Sequence, residues 1–403
     1  MQNIVVDKPY TFFPPRFSVF WHGLIRTYLP RYLRKNHGIV AVECVGAEKL
    51  KRSLAAGHGI LLVSNHCRPC DPMVIDYLGK ETGRPSHVIA SWHLFMGSRI
   101  TRFVLPRVGG FSVYREGLDR ESLKCAVKTV AAGYHPLVIF AEGIITRCND
   151  RLVSFMEGPA FIARAAAKQR GQGKVVVHPV FIRYFFEGDL RAAVEPVLAE
   201  IEHRLSWQPQ SHLSLRERIL KTGAALLGLK EMEHLGATET GSFRDRLDRL
   251  ENHLLEPMEN EWAGGRHDGS AMARVKRLRS AILPDIVKGH LTDEDRAARW
   301  RHIADLYLVQ QLYCYPGNYI ENHTPERILE TVERYEEDLT DFVRPHFPLR
   351  SVISVGDAIE VDATQDRSPD GDPLMTKIRT QMESLLESSK ALRRIAPTGI
   401  EKP

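Results

Sequence analysis

The fold of this chain is decided by the stretch ILLVSNHCRPCDP, residues 60–72, in which an apolar run is followed at once by polar side chains. The run Ile60–Val63 is typical of a buried strand. Pro72 suits the first turn of a helix, where its missing N–H is no loss, and Asp71 before it is a favoured N-cap. Because chemistry in α/β folds gathers at the carboxyl ends of strands, His66 and Asp71 are placed for proton transfer.

These two side chains also have a purely structural explanation, with Asp71 as a helix cap and His66 as a hydrogen-bonded core histidine. The spacing His66-x-x-x-x-Asp71, in the setting Asn65-His66 and Asp71-Pro72, favours catalysis. It resembles the first motif of the glycerolphosphate and lysophosphatidate acyltransferase family. The resemblance implies that His66 is the general base and that Asp71 orients it.

A rival interpretation uses the two cysteines of the same turn. Cys67-Arg68-Pro69-Cys70 is a C-x-P-C between a strand and a helix, where a thioredoxin-like redox pair would lie. A helix N-terminus would lower the pKa of Cys67, and metal binding by the two thiols is a further alternative. A thioredoxin-like domain would leave the following chain unexplained, whereas the acyltransferase resemblance predicts three more motifs downstream.

The second motif is carried by Gly110 and by Val113-Tyr114-Arg115, which resemble the family's glycine, aliphatic residue, any residue and arginine. Arg115 is expected at a strand end, and its planar guanidinium fork matches a phosphate group bidentately. We therefore expect Arg115 to bind the phosphate of the acceptor. The alternative is a solvated arginine paired with Glu116 or Glu121.

The third motif is FAEG, residues 140–143, which resembles the family pattern Phe-Pro-Glu-Gly-Thr-Arg with alanine in place of proline. The Thr-Arg pair comes two residues late, at residues 146–147. The resemblance implies that Glu142, Gly143 and Arg147 contribute to binding the acceptor. The alternative for Glu142 is a helix-start carboxylate favoured by the helix dipole.

The fourth motif lies in an apolar run, where His178-Pro179-Val180 resembles the family's Val-Pro-Val with a histidine in place of an aliphatic residue. Proline is tolerated in a strand only at an edge or a bulge. The four motifs occur in family order. Together they imply an α/β fold with an acyltransferase-type mixed sheet flanked by helices.

The implied reaction needs no nucleophilic side chain, because a thioester is already activated. The expected donor is acyl-CoA or acyl carrier protein and the expected acceptor is a lysophosphatidate-like glycerophospholipid, so the enzyme is 1-acylglycerol-3-phosphate acyltransferase-like. No metal or cofactor is implied. Backbone N–H groups near Asn65 or Gly143 are candidates for stabilising the oxyanion. The altered third motif leaves a catalytically weak lipid-binding member of the same fold as an alternative.

The composition predicts a large, reduced, cytoplasmic protein. The chain has 403 residues, 43% of them hydrophobic, and six cysteines without regular disulfide spacing. The formal charge of +5 is mild and basic residues are interleaved with acidic ones, so nucleic-acid binding has no support. No run is long enough to cross a bilayer, and no leader peptide is recognisable.

Residues 16–35 predict a peripheral contact with a membrane surface, which for a cytoplasmic protein is the inner face. Apolar side chains recur there at helical spacing among basic residues: Phe17, Phe20, Trp21, Leu24, Tyr28 and Tyr32. The alternative is that this stripe packs on the catalytic domain. Pro30 argues against one continuous helix.

The chain becomes helical and charged after residue 189, and a strand pattern returns only near the C-terminus. There Gly356-Asp357-Ala358-Ile359 resembles the Gly-Glu-Pro-Ile strand that normally follows the family's fourth motif closely. Because loop-closure entropy grows slowly with length, a helical insertion into one discontinuous core is the economical explanation, and a free-standing C-terminal hairpin is the alternative. The predicted divisions are an N-terminal amphipathic helical segment (1–37), the first part of the acyltransferase core (38–189), the helical insertion (190–345), the closing strand and helix (346–396) and a tail (397–403).

Overall fold

The computed structural model describes residues 8–115, 119–288, 291–315, 324–364, 372–396 and 398–399. Within these ranges one eight-stranded mixed sheet is flanked by helices, which confirms the predicted α/β fold class. The strands in chain order are β1 (Ile39–Val45), β2 (Gly59–Ser64), β3 (His87–Ser91), β4 (Gly110–Val113), β5 (Leu137–Phe140), β6 (Val175–Phe186), β7 (Leu349–Val355) and β8 (Ile359–Glu360).

Most of the sheet is parallel. Five neighbouring strands run in the same direction, in the order β6-β2-β5-β3-β4. β7 is antiparallel to β6, β1 pairs with β7 at the sheet edge, and β8 pairs with the start of β6. Because parallel strands end at the same edge, the segments that follow β2, β3, β4 and β5 converge there.

Helices cover the sheet and fill the long segment between β6 and β7. Seven helices precede β6: α1 (Val19–His37), α2 (Ala47–Ala55), α3 (Asp71–Thr82), α4 (His93–Gly97), α5 (Arg99–Arg107), α6 (Arg120–Ala132) and α7 (Gly158–Arg170). The described residues between β6 and β7 contain α8 (Leu190–Arg204), α9 (Leu215–Leu235), α10 (Phe243–Trp262), α11 (Ala271–Lys288), α12 (Asp293–Tyr313) and α13 (Pro325–Thr340). After β8 come α14 (Pro373–Ser389) and one 3₁₀ turn (Lys390–Leu392).

The strand, turn and helix predicted around residues 60–72 form as expected, with one shift. All six positions of β2 are buried. α3 begins at Asp71 with Cys70 as its N-cap, so Asp71 is one residue inside the helix that it was predicted to cap. The carboxylate instead accepts bonds from other groups of the turn, as described below.

Proline is accommodated inside the central strand β6. All twelve residues of β6 are buried, although Pro179 led us to expect an edge or a bulge. On one side of the strand β8 pairs with residues 176–177 and β7 with residues 180–186, so Pro179 lies at the gap between the two partners. His178 beside it bonds to the hydroxyl of Ser53 and to the carbonyl of Gly356, each at 2.9 Å, and is a satisfied core histidine.

The C-terminal strand and helix belong to the same sheet as the first part of the chain. β7 lies between β1 and β6, with Val355 opposite Val180 and Leu349 opposite Phe186. α14 packs against β6 and β7 through buried apolar side chains that include Ile378 and Met382. The segment is therefore not a free-standing hairpin. The predicted division of the chain into units stays a prediction.

The last helix of the insertion, α13, is buried against the core although it is rich in charge. Its residues 326–336 are all buried. Several of their side chains pair with groups of the core: Glu326 with Arg393, Arg327 with Asp150, Glu330 with Asn149 and Glu333 with Arg68. Since a buried charge is tolerated only when it is paired, these contacts specify how α13 lies against the core.

α1 is one continuous helix despite Pro30. The helix is held on both sides of the proline by Leu29 and Leu33, which are buried. Neither leucine belongs to the predicted apolar stripe, of which four members are exposed, namely Phe20, Leu24, Tyr28 and Tyr32. Among the residues that the structure describes, no helix is both long enough and apolar enough to span a membrane.

Candidate active site

His66 and Asp71 are brought into contact by the turn between β2 and α3. The Nδ1–H of His66 donates to Oδ2 of Asp71 at 2.8 Å. The Asp71 side chain is fully buried, whereas 16% of the His66 side chain is exposed. Because Nδ1 is committed to the carboxylate, Nε2 is the ring nitrogen left for a substrate. The pair has the geometry of a base and the group that orients it.

The Asp71 carboxylate has two further donors. The backbone N–H of Arg68 donates to Oδ2 at 2.9 Å, and the phenol of Tyr184 on β6 donates to Oδ1 at 2.5 Å. Burial raises the pKa of Tyr184 well above its usual value, and the negative charge of Asp71 adds to this, so the phenol keeps its proton. Sequence reasoning missed Tyr184. Its only signal was one hydroxyl in a largely apolar buried strand.

A second side chain ties the same turn to β6. The amide of Asn65 accepts from the N–H of Ile182 at 2.8 Å and donates to its carbonyl at 3.0 Å. It thereby continues the hydrogen-bond pattern of the sheet beyond the last residue of β2. The turn that carries His66 is therefore fastened to the central strand at Asn65 and at Asp71.

Glu142 holds the backbone of His66 from the opposite side. Its Oε2 accepts from the N–H of His66 at 2.6 Å and its Oε1 from the N–H of Val153 at 3.1 Å. Glu142 is buried and is not among the residues that line the cavity described below. Both carboxylate oxygens serve the backbone behind the catalytic turn, and the expected contact of Glu142 with the acceptor stays a prediction.

The environment of Glu142 has a consequence for its ionisation. Burial raises the pKa of Glu142 to about 7, against the two backbone N–H groups, which lower it.

His66 is further held by the N–H of Thr146, which donates to its carbonyl at 2.8 Å. The His66 ring stacks on Phe140 at a centroid distance of 4.2 Å. Together with the bond to Asp71, these contacts restrict the movement of the imidazole.

His66 opens into a cavity of about 280 Å³ at the carboxyl edge of the parallel strands. The core contributes one set of walls: Pro69, Pro72, Ala90, Ser91, His93, Leu94, Arg115, Phe140, Gly143, Ile144, Ile145 and Arg147. The helical insertion contributes the others: Tyr307, Gln310, Gln311, Cys314, Arg334, Glu337 and Asp338. The role of these insertion residues was not foreseen, because no local pattern relates α12 and α13 to the turn after β2.

Two of the predicted acceptor-binding residues contact each other. Arg115 reaches the cavity after β4 and donates to the carbonyl of Gly143. Gly143 has a φ of 69°, a left-handed conformation that suits glycine, and its N–H donates to the carbonyl of Phe140 at 3.2 Å. That N–H is thus engaged in a turn, which removes Gly143 from the candidates for an oxyanion donor.

Arg147 reaches the same cavity but its guanidinium is occupied. Nε and one terminal nitrogen bond to the two oxygens of Glu337 on α13, at 2.9 and 2.8 Å. The side chains are only 8% and 19% exposed. Burial would raise the pKa of Glu337, but Arg147 outweighs it and holds that pKa below its usual value. The expected phosphate contact of Arg147 would therefore have to compete with a partly buried ion pair.

The two cysteines of the turn are unsuited to redox chemistry. Cys67 and Cys70 are free and fully buried. Burial raises the pKa of Cys70 to about 12 and that of Cys67 well above its usual value, with Asp71 adding to both. Since the thiolate is the reactive form, burial of both thiols argues against the redox interpretation. Within the described part of the chain, no group of three or more His, Cys, Asp or Glu side chains is arranged to hold a metal ion.

A comparison with protein families agrees with this geometry. Residues 41–183 match the family model described as Acyltransferase. The matched range includes β2, the His66–Asp71 turn, the segments after β4 and β5, and most of β6. No curated protein matches the chain. The family match supports acyl transfer as the general activity of this part of the protein.

Proposed function

We propose that the protein transfers a fatty acyl group from an acyl thioester to a hydroxyl of a lysophosphatidate-like glycerophospholipid. The observation that carries the proposal is the bond between His66 and Asp71 at the wall of a cavity at the carboxyl edge of the sheet. The donor is acyl-CoA or an acyl carrier protein, and the activity is 1-acylglycerol-3-phosphate acyltransferase-like.

In this mechanism Nε2 of His66 accepts the proton of the acceptor hydroxyl as its oxygen bonds to the thioester carbonyl carbon. Asp71 keeps the imidazole in the required tautomer and stabilises the imidazolium. The tetrahedral intermediate collapses, the carbon–sulfur bond breaks, and the leaving thiolate takes the proton from His66. The reaction needs no serine or cysteine nucleophile, because the thioester is already activated.

Arg115 is the proposed ligand of the acceptor phosphate. It lines the cavity together with His66, and a guanidinium gives a charge-assisted, bidentate bond to phosphate oxygens. The bond to the Gly143 carbonyl holds the side chain beside the catalytic turn. Glu142 and Tyr184 act in this proposal as positioning residues, since they contact the turn and not the cavity.

The partner surface in this proposal is a membrane, which the protein binds peripherally on the inner face. Residues 8–42 contain six Lys or Arg and residues 82–115 contain five Arg, and neither segment contains Asp or Glu. Basic residues are therefore not interleaved with acidic ones in these two segments, unlike in the chain as a whole. Both attract anionic lipid headgroups.

The same two segments carry an exposed apolar patch, defined as Val19, Phe20, Leu24 and Tyr28 of α1 with Ile100 and Phe103 of α5. The two helices meet where Trp21 contacts Phe103 edge to face, at 5.1 Å. Leu94 is 42% exposed and also lines the cavity. Apolar side chains among cations suit the headgroup region of a bilayer.

The test compares thioester-dependent acylation by the wild type, His66→Ala and the double variant Cys67→Ser/Cys70→Ser, with release of free thiol and lipid product both measured. His66→Ala should abolish transfer, and the double serine variant should keep most of it. A double serine variant that is folded but inactive would show that the thiols take part in the reaction. A wild type that retains lysolipids without releasing thiol would identify a lipid-binding member of the fold.

A further inference from the structure

The helical insertion provides part of the wall of the cavity, and the charge of this wall is not that expected of a site for a phosphomonoester. Seven residues of α12, α13 and the turn after α12 line the cavity. Two of them, Glu337 and Asp338, are carboxylates, and two, Gln310 and Gln311, are carboxamides. This wall is rich in hydrogen-bond acceptors.

The cations of the cavity already have partners. Arg147 is held bidentately by Glu337. Arg334 donates to the carbonyls of Thr146 at 2.7 Å and Gln311 at 3.2 Å, and it lies over the ring of Tyr315. The three lining arginines, Arg115, Arg147 and Arg334, therefore face two carboxylates in the same cavity. With both carboxylates ionised, three arginines against two carboxylates leave one net positive charge for the ligand.

The two classes of lysophospholipid differ in that charge. A phosphomonoester carries about −1.5 to −2 at neutral pH. To bind it, Arg147 would have to leave Glu337, and separating a partly buried, bidentate ion pair is unfavourable. The freed carboxylate would also lie beside a dianion. A phosphodiester carries a single negative charge, and its headgroup substituent extends from the phosphate towards the acceptors of the insertion wall.

We infer that the acceptor is a lysophospholipid with a phosphodiester headgroup that ends in a hydroxyl or an ammonium group, and that Glu337 selects it over the phosphomonoester. The inference rests on the proposed function and narrows its acceptor class. The single charge of the diester is bound by Arg115. Glu337 and the carboxamides of α12 accept hydrogen bonds from the headgroup, and the ion pair with Arg147 stays intact.

The experiment uses the full-length protein in mixed micelles with an acyl-CoA donor. It compares kcat/KM for lysophosphatidate, lysophosphatidylglycerol and lysophosphatidylethanolamine of the same chain length. The wild type should prefer one of the two diesters, and which of them is preferred identifies a hydroxyl or an ammonium headgroup. Glu337→Gln should shift the monoester-to-diester ratio towards the monoester about tenfold or more, because it removes one charge within a few ångströms of the phosphate.

The matched control is Glu336→Gln. Glu336 precedes Glu337 on α13, is buried and pairs with Arg344, but does not line the cavity. Its substitution should leave the monoester-to-diester ratio unchanged. The ratio is measured within one protein preparation, so a lower folded fraction does not alter it.

Two results would overturn the inference while leaving the proposed function standing. One is a wild type that prefers lysophosphatidate. The other is a Glu337→Gln protein that gains or loses activity equally with both classes, as expected if Arg147 itself binds either phosphate. A wild type that acylates none of the three lipids, and releases no thiol with any of them, would instead reject the proposed function and the inference with it.

Discussion

The phenol of Tyr184 donates to one oxygen of Asp71 at 2.5 Å, while His66 occupies the other oxygen at 2.8 Å. β6 thus contributes to the catalytic turn although 113 residues separate Tyr184 from Asp71. The buried carboxylate shares its charge among these two donors and the backbone N–H of Arg68. How strongly it polarises His66 therefore depends on the other donors.

Tyr184→Phe should shift the acid limb of the kcat/KM profile to higher pH, by up to about one unit, and lower kcat several-fold. Without the phenol, Asp71 holds more negative charge against the imidazole and favours its protonated form, and a bond to a charged group contributes about 1.5–3 kcal/mol. The pH dependence of acyl transfer measures this. Tyr335→Phe is the control, since its phenol bonds the carbonyl of Ile219 inside the insertion. If both variants lose the same thermal stability and neither pH profile shifts, Tyr184 serves only packing.

Glu142→Gln should destabilise the protein more at pH 5 than at pH 7.5. The pKa of Glu142 is raised from 4.5 to about 7 by burial, so between these values the folded state binds more protons than the unfolded state. The contribution of Glu142 is full below pH 4.5 and is lost as the pH rises through about 7. The glutamine side chain cannot ionise. The deficit of the variant in free energy of unfolding, relative to the wild type, should therefore shrink by at most about 3 kcal/mol as the pH rises.

Urea unfolding at a series of pH values measures this difference, and other buried carboxyl groups cancel in the comparison. Glu121→Gln is the control for replacing an exposed carboxylate by the same amide. A deficit for Glu142→Gln that is constant from pH 5 to 7.5 would contradict the raised pKa.

Arg115→Ala should raise KM for a phosphorylated acceptor by about one to two orders of magnitude with a smaller change in kcat, since a charge-assisted contact contributes about 1.5–3 kcal/mol. Arg115→Lys should not restore KM fully, because an ammonium lacks the planar fork. Arg120→Ala, at the exposed start of α6, is the control for loss of a cation. An unchanged KM in Arg115→Ala would point to an acceptor without phosphate.

Phe20→Glu and Ile100→Glu should each weaken binding to anionic liposomes several-fold without lowering the melting temperature. The two side chains are 70% and 76% exposed, so a charge costs little in the free protein and much in a bilayer. Cosedimentation with vesicles measures the partition. Leu229→Glu, an exposed leucine of α9 outside the patch, is the control. If vesicles do not retain the wild type, and Trp21→Glu only lowers thermal stability, the stripe on α1 serves packing.

Truncation after Pro345 should leave the core unfolded, because it removes β7 from between β1 and β6 and strips α14 from the sheet. Circular dichroism and solubility are the measurements, with a chain ending at residue 396 as the control. A soluble, active fragment ending at Pro345 would show that the closing strand and helix are dispensable.

Local sequence determined much of the catalytic turn. An apolar run followed by His66, Asp71 and Pro72 predicts a strand, a turn and a helix start, because backbone preferences and side-chain periodicity act over a few residues. The resemblance of the His66-x-x-x-x-Asp71 spacing to the family's first motif implied their contact, and the contact forms because both residues lie on one short turn. The helix that begins after Thr292 follows from its cap with Asp295 for the same reason.

Only the tertiary structure decided which distant groups meet at this turn. Tyr184 bonds to Asp71. Glu337 bonds to Arg147, which lies 190 residues away and was expected to bind a phosphate. Glu142 turned out to bind the backbone of His66, because burial behind the turn left its carboxylate no other donors than two N–H groups. Partners of this kind depend on how whole elements pack, and no periodicity within a segment encodes which side chain of another segment will lie opposite it.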